Sequence, residues 1–307
     1  MVKQIITHSL LILNLLFFIT KIEAQLLDGR WNITVTKGEK KYPAWLEVIH
    51  SGMKTKVGKF VYIVGSARPI SKILIVEDKF SFTIPPQWDN EDADLTLVGT
   101  LVGDKIEGMV REPNGVSYPY KGVRAPKMIK TVEPKWGKAT KLFDGQSLNG
   151  WRSDGDNNNW IASNGILKNQ KSGANLMTDK TFGDFKFHIE FKVPKGGNSG
   201  IYLRGRYEVQ VSDSKEPSTV DLGGIYGFVK ALELPAQVAD VWHSYDITLV
   251  GRIVTVVLDG KTVVCRAEIP GITGGAIDSN EDSPGPIYLQ GDHTEVEYRN
   301  IKIAVAK

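Results

Sequence analysis

The stretch Gly200-Ile201-Tyr202-Leu203-Arg204-Gly205-Arg206-Tyr207-Glu208-Val209-Gln210-Val211-Ser212 decides how the C-terminal half of the chain is read. Side chains alternate across a strand. One parity collects Ile201, Leu203, Tyr207, Val209 and Val211, and the other collects Tyr202, Arg204, Arg206, Glu208, Gln210 and Ser212. Read as one strand, the stretch has an apolar face and a face of long polar groups. Gly205 is a candidate bulge at which the parity would flip. Such a row is either the wet outer face of a sheet or the floor of a binding site.

Outward from this stretch, residues 185–193, 242–250, 253–258, 261–265, 285–290 and 296–305 also read as strands, and Leu258-Asp259-Gly260-Lys261 reads as a tight hairpin. No segment carries a long apolar period of helical spacing. Residues 141–307 therefore have the size and strand content of a two-sheet jelly-roll sandwich. Upstream, residues 30–36, 45–49, 60–64, 73–76, 79–84, 95–101, 105–110 and 118–123 form a run of short strands separated by turn signals such as Gly103-Asp104 and Asn114-Gly115. They predict a small antiparallel β-barrel or sandwich over residues 25–124. Residues 125–140, with two prolines and no periodicity, read as a linker. The fold class is all-β.

Composition bounds the function. The chain has 307 residues with 38 Lys+Arg against 35 Asp+Glu, a formal net charge of +3. That is too small for binding by phosphate neutralisation, which excludes a nucleic-acid partner. The single cysteine, Cys265, can form neither an internal disulfide nor a thiolate zinc cluster. Residues 1–24 read as a secretory signal peptide: Lys3 precedes an apolar run over 5–19, and Ile22-Glu23-Ala24 offers a cleavage site. No second run long enough to span a bilayer follows. The expected product is an exported bacterial protein, periplasmic or extracellular, with no membrane span after cleavage.

Two further patches accompany the polar row. Tyr288 and Gln290 alternate with Ile287 and Leu289 and lead to Gly291-Asp292-His293, while Val241-Trp242-His243 opens another strand. Aromatic faces cover sugar C–H surfaces, and amides and carboxylates bond hydroxyls, so these residue types suit a carbohydrate groove.

In this order the motifs resemble the bacterial domain-of-unknown-function family 1080, also described as 3-keto-disaccharide hydrolases. They are Leu142-Phe143-Asp144-Gly145, Phe182-Gly183-Asp184-Phe185, Gly197-Asn198-Ser199-Gly200-Ile201-Tyr202-Leu203-Arg204-Gly205, Tyr207-Glu208-Val209-Gln210-Val211, Gly224-Ile225-Tyr226, Trp242-His243, Ile287-Tyr288-Leu289-Gln290 with His293, and Tyr298-Arg299-Asn300-Ile301. The resemblance covers residues 142–305. It implies a concanavalin-like jelly roll. Residues 26–124 look like an N-terminal domain sometimes joined to it. Gly291 departs from the family pattern by separating Gln290 from Asp292-His293.

The resemblance also implies a substrate oxidised to a ketone at sugar C3. The ketone acidifies the C2 proton, the enolate expels the C1 oxygen, and water adds to the enone. Such chemistry needs a base near C2, a donor near the C3 oxygen and an acid at the leaving oxygen. On this reading Glu208 is the base or a metal-binding carboxylate, Arg204 steadies the enolate or anchors hydroxyls, and His293 is the acid/base partner or a metal ligand. Asn198, Gln210, Asp213, Tyr226, Trp242 and Gln290 are the substrate-binding candidates. A divalent metal, if used, would draw on Glu208, Asp213 and His293. The competing readings are a non-catalytic carbohydrate-binding module and a cell-envelope interaction protein, since fold does not fix function. Neither the aglycone nor the oligomeric state follows from these motifs.

Overall fold

The computed structural model describes residues 27–87, 92–130 and 132–307. The expected signal peptide, residues 1–24, lies outside them. Among the described residues every regular element is a strand, and no helix is long and apolar enough to cross a membrane.

The chain divides into two compact units. Of the described residues, one holds 27–60, 68–87 and 92–125, and the other holds Val61–Ala67, 126–130 and 132–307. Residues Val61–Ala67, grouped with the first domain on sequence, thus cluster with the second.

The first unit is built on a closed barrel. Its strands are β1 (Gly29–Lys37), β2 (Lys40–Ser51), β3 (Thr55–Val61), β4 (Arg68–Val76), β5 (Lys79–Ile84), β6 (Leu95–Val102), β7 (Lys105–Arg111) and β8 (Ser117–Arg124). Each pairs with its sequence neighbour, and β8 returns to β1 through Trp31↔Arg124 to Val35↔Tyr120. The alternation that predicted these strands fills the interior: Ile33, Leu46, Phe82, Leu97 and Ile106 are all buried. At about 25 cal/mol per Å² of apolar surface, each such side chain stabilises by about 2 kcal/mol before entropy is counted. The third strand starts earlier than expected, at Thr55, and Val64 lies beyond its end.

The second unit is a two-sheet sandwich. Its strands are β9 (Thr140–Lys141), β10 (Trp151–Ser153), β11 (Trp160–Ser163), β12 (Ile166–Asn169), β13 (Leu176–Thr178), β14 (Phe185–Lys192), β15 (Asn198–Leu203), β16 (Tyr207–Ser212), β17 (His243–Val250), β18 (Ile253–Leu258), β19 (Lys261–Glu268), β20 (Tyr288–Leu289) and β21 (Val296–Val305). One sheet has the order β10-β13-β20-β15-β16, and the other β11-β12-β21-β14-β17-β18-β19 with β9 beside β21. Phe187, Ile189, Tyr245 and Ile247 of the larger sheet pack with Ile201, Val209 and Leu289 of the smaller, all buried. The Ser199 hydroxyl meets the Tyr298 hydroxyl across the two layers at 2.9 Å.

The decisive stretch 200–212 is not one strand. It is a hairpin, β15 turning into β16, with Leu203 opposite Tyr207 and Tyr202 opposite Glu208. Arg204 and Gly205 both have positive φ, 55° and 66°, as tight hairpin turns require. Tyr202, Glu208, Gln210 and Ser212 nevertheless share one face, because directly opposed residues project to the same side.

Candidate functional site

Sheet register assembles the site. The pairs Arg152↔Met177, Met177↔Tyr288, Tyr288↔Tyr202 and Tyr202↔Glu208 run as one row across all five strands of the smaller sheet. The row lies on the face opposite Ser199, Ile201 and Val209, which point to the larger sheet, so it faces away from the sandwich core. Gly200 lies opposite Gln210 in the next row, and Gln290 donates its backbone N–H to Gly200 O at 2.9 Å.

This outer face is dry around Glu208. Glu208 is 3% exposed, Tyr202 1%, Tyr288 5% and Gln210 5%. The Tyr202 and Tyr288 rings stack with centroids 4.5 Å apart. The Glu208 carboxyl folds over Gly200, where a Cβ would stand 2.1 Å from Oε1, so any larger residue at 200 would displace it. The Glu208 backbone N–H donates to Thr273 Oγ1 at 3.0 Å. With its amide nitrogen turned to the carboxyl, Gln210 donates to Glu208 Oε1 at 2.9 Å.

Among the described residues no cation is placed to balance this carboxyl. Burial raises its pKa to about 8; the Tyr202 hydrogen bond acts in the lowering direction, and the charge of nearby Asp292 raises it further. The Tyr202 hydroxyl donates toward both Gly274 O at 2.8 Å and Glu208 Oε2 at 2.9 Å, and its single proton is shared between them, so its bond offsets the burial of Glu208 only in part. Burial, then the Glu208 charge, also raises the Tyr226 phenol to about 12. Tyr202 and Tyr288 are driven up by burial as well, and both feel the charges of Glu208 and Asp292. The site is therefore a buried, proton-holding carboxyl among phenols.

The wetter end of the face carries amides and an imidazole. Asn198 Oδ1 is 3.0 Å from the Gln210 amide. Gln290 Oε1 is a buried acceptor with no donor among the described residues, which suits a ligand hydroxyl. His293 Nδ1 and Asp292 Oδ1 are 2.7 Å apart and exposed; that hydrogen bond raises the His293 pKa. Asn175 fixes this end, donating its backbone and side-chain N–H to the Asp154 carboxylate and accepting the Gly291 N–H, each at 2.8 Å.

The structure places three candidate residues away from the Glu208 carboxyl. Arg204 does not accompany Glu208: its φ of 55° puts it in the hairpin turn, its guanidinium donates to Gly251 O, and it lies over the Tyr207 ring. Tyr207 has the opposite parity, so Arg204 serves the other face, and burial lowers its pKa. Trp242 precedes β17 on the outer side of the larger sheet. There its ring lies 3.9 Å from Arg299 and 5.2 Å from Lys192, across the sandwich from Glu208. Asp213 lies five residues along the chain from Glu208, about 16 Å in extended geometry, and accepts the Gly196 N–H at 2.9 Å. The metal candidates Glu208, Asp213 and His293 are consequently not gathered: among the described residues no three His, Cys, Asp or Glu side chains are placed to hold one ion.

Sequence reasoning missed Tyr202, Tyr288 and Asp292 as site members. The first two share the Glu208 parity, and that was the available signal. The acidic run at 278–282 is structural: Asp278 pairs with Arg206 at 2.7 Å and Glu281 with Arg252 at 2.6 Å.

A family described as the 3-keto-alpha-glucoside-1,2-lyase-like domain matches residues 138–304. The 3-keto-disaccharide hydrolase of Bacteroides thetaiotaomicron is 34% identical over 144 residues, 40% of this chain and 48% of the relative. The chain thus spans about half the length of that relative. A candidate glycosyl hydrolase from Parabacteroides distasonis, solved by crystallography, is 29% identical with a TM-score of 0.48, covering 58% of this chain and 93% of that one. A second from the same organism is 18% identical with a TM-score of 0.45, covering 55% and 94%. The matched region takes in the sandwich strands and every residue placed around Glu208, so the chain belongs to the 3-keto-alpha-glucoside-1,2-lyase-like domain family.

Proposed function

We propose that the chain is a glycoside-cleaving enzyme that acts on 3-keto-glycosides, and that it works outside the cytoplasm, as the apolar run over 5–19 implies. The observation that carries the reading is Glu208, a buried carboxyl without a counter-cation, its pKa raised to about 8 on the polar face of the smaller sheet. A module that only binds sugars gains nothing from that arrangement, whereas proton transfer near neutral pH requires it. The name of the Bacteroides relative, 3-keto-disaccharide hydrolase, supplies the substrate class.

In the proposed reaction, ionised Glu208 takes the C2 proton next to the ketone. The C–H electron pair forms the C2–C3 enolate, with its charge on the C3 oxygen. The Tyr226 phenol, close enough to feel the Glu208 charge, donates to that oxygen in the role first considered for Arg204. Collapse of the enolate forms the C1–C2 double bond and breaks the C1–O bond. The leaving oxygen takes its proton from His293, whose hydrogen bond to Asp292 keeps the imidazole protonated to higher pH. Water then adds across the enone, its hydroxyl to C1 and its proton to C2, which completes net hydrolysis. Asn198, Gln210 and Gln290 bond the ring hydroxyls.

Incubation of the full chain with a 3-keto-disaccharide and with its unoxidised parent tests this. Release of 3-keto-glucose, or of its enone, from the first alone is the expected result. Binding of both without turnover of either favours the carbohydrate-binding module.

A further inference from the structure

The segment Val61–Ala67 belongs to the second unit, although it joins β3 to β4 in the chain. Within that unit it lies on two backbone stretches. Ile63 O accepts the Gly275 N–H at 2.9 Å. A Cβ on Gly274 would stand 2.2 Å from Gly65 O, and one on Gly227 would stand 2.5 Å from Ala67 N. Only hydrogen at 227 and 274 lets the segment approach so closely.

Both stretches also hold the Glu208 site. Thr273 accepts the Glu208 N–H, and Gly274 O accepts from Tyr202. On the other side Tyr226, the neighbour of Gly227, donates its N–H to Glu208 O at 3.0 Å. One short segment therefore backs both supports of one carboxyl.

We propose that Val61–Ala67 is a positioning segment for Glu208: seated on residues 273–275 and on Tyr226 and Gly227, it clamps the backbone that bonds Glu208 and Tyr202 and keeps water from the carboxyl. The catalytic part of this statement rests on the reading of Glu208 as a base; the positioning part does not. The groups that act on the Glu208 carboxyl include Tyr202, Gln210 and Asp292, while Tyr226, Tyr288 and Tyr298 feel its charge. Gly274→Ala leaves each of these named groups in place.

The test uses the full chain with carboxyl-labelled glutamate, Glu208 being assigned by the resonance missing from Glu208→Gln. Carbon NMR then follows its titration in the parent protein, in a variant lacking Gly65 and Ser66, and in Gly274→Ala. The second variant keeps every residue of the segment and decides the matter if the first does not fold. The expected midpoint falls from about 8 to below about 7 in each variant as water reaches the carboxyl, and the rising limb of the pH–rate profile moves down with it. An unchanged midpoint in a folded variant overturns the proposal. A lowered midpoint in a protein that does not turn over 3-keto-glycosides upholds the positioning role and removes the catalytic reading.

Discussion

Two buried glutamates meet opposite faces of one hairpin. Glu208 and Glu281 are 3% and 0% exposed, and each contacts a tyrosine hydroxyl of the β15–β16 hairpin at 2.9 Å, Tyr202 for the first and Tyr207 for the second. The difference is a cation. Glu281 is met by the Arg252 guanidinium at 2.6 Å on the core-facing side, and among the described residues Glu208 has no such partner on the outer side. A buried carboxylate beside arginine keeps its charge and ties elements together. A buried carboxyl among phenols keeps its proton instead. Two buried glutamates, each against a tyrosine hydroxyl, thus differ in what balances them, and burial alone does not distinguish the two.

The largest effect that could break this contrast is catalytic. Glu208→Gln preserves shape and removes the ionisable group, so turnover of a 3-keto-disaccharide is expected to fall about 10³-fold. A variant retaining its rate would end the assignment. On the other face, Arg252→Met leaves Glu281 buried without its cation. Urea unfolding should show a loss of about 3–5 kcal/mol, while the rate per folded molecule stays within about twofold; a large rate loss without destabilisation would merge the two glutamates into one system.

A pH series sharpens the contrast further. Folding raises the Glu208 pKa from its ordinary value near 4.5 to about 8, so between those values the folded state holds a proton that the unfolded state has released. The stability that this site confers is full below the unfolded pKa and is lost as pH rises through the folded one, with a slope of at most about 1.4 kcal/mol per pH unit. Glu208→Gln has no such loss. The thermal midpoint of the parent should therefore fall relative to the variant as pH is raised from about 5 to about 8; parallel curves would show that the carboxyl is not proton-holding. Smaller again, Tyr202→Phe deletes the hydroxyl whose hydrogen bond lowers the Glu208 pKa. The rising limb of the pH–rate profile should move to higher pH, with about a tenfold rate loss at neutrality. Smallest is Trp242→Ala, expected to change kcat/KM by less than about twofold because the ring stands on the far sheet between Arg299 and Lys192.

The barrel was legible because strands such as β1 alternate, with Ile33 and Val35 buried in one parity, although β2 buries Pro43, Ala44, Trp45 and Leu46 in succession and the β3–β4 pair shifts register. The 200–212 hairpin was not, for a geometric reason. From Leu203 to Tyr207 the apolar parity runs straight through the turn, and the turn residue Arg204 occupies a left-handed conformation usually taken by Gly, Asn or Asp. The face of Glu208, Gln210 and Tyr202 was still read correctly, because the register places Tyr202 opposite Glu208. Arg204 and Arg206 were assigned to it by the same arithmetic and leave it, since turn residues do not obey the strand period. Trp242 has the composition of a sugar platform, but a single sequence does not say which sheet a strand joins. The structural role of the acidic run at 278–282 is not visible in the sequence, because the partners of Asp278 and Glu281, Arg206 and Arg252, lie 72 and 29 residues away.

β20 is only two residues long, yet it occupies the centre of the five-stranded sheet, between β13 and β15. Its residues, Tyr288 and Leu289, come more than eighty positions after β15 in the chain. Until they arrive, β13 and β15 have open edges toward each other and the row ending at Glu208 is cut in two. A ribosome must therefore deliver nearly the whole chain before this sheet can close. Long-range closure of this kind is slow, and it makes the site one of the last features to form during synthesis. A nascent or truncated chain has a barrel and half a sheet, but no finished pocket with which to act.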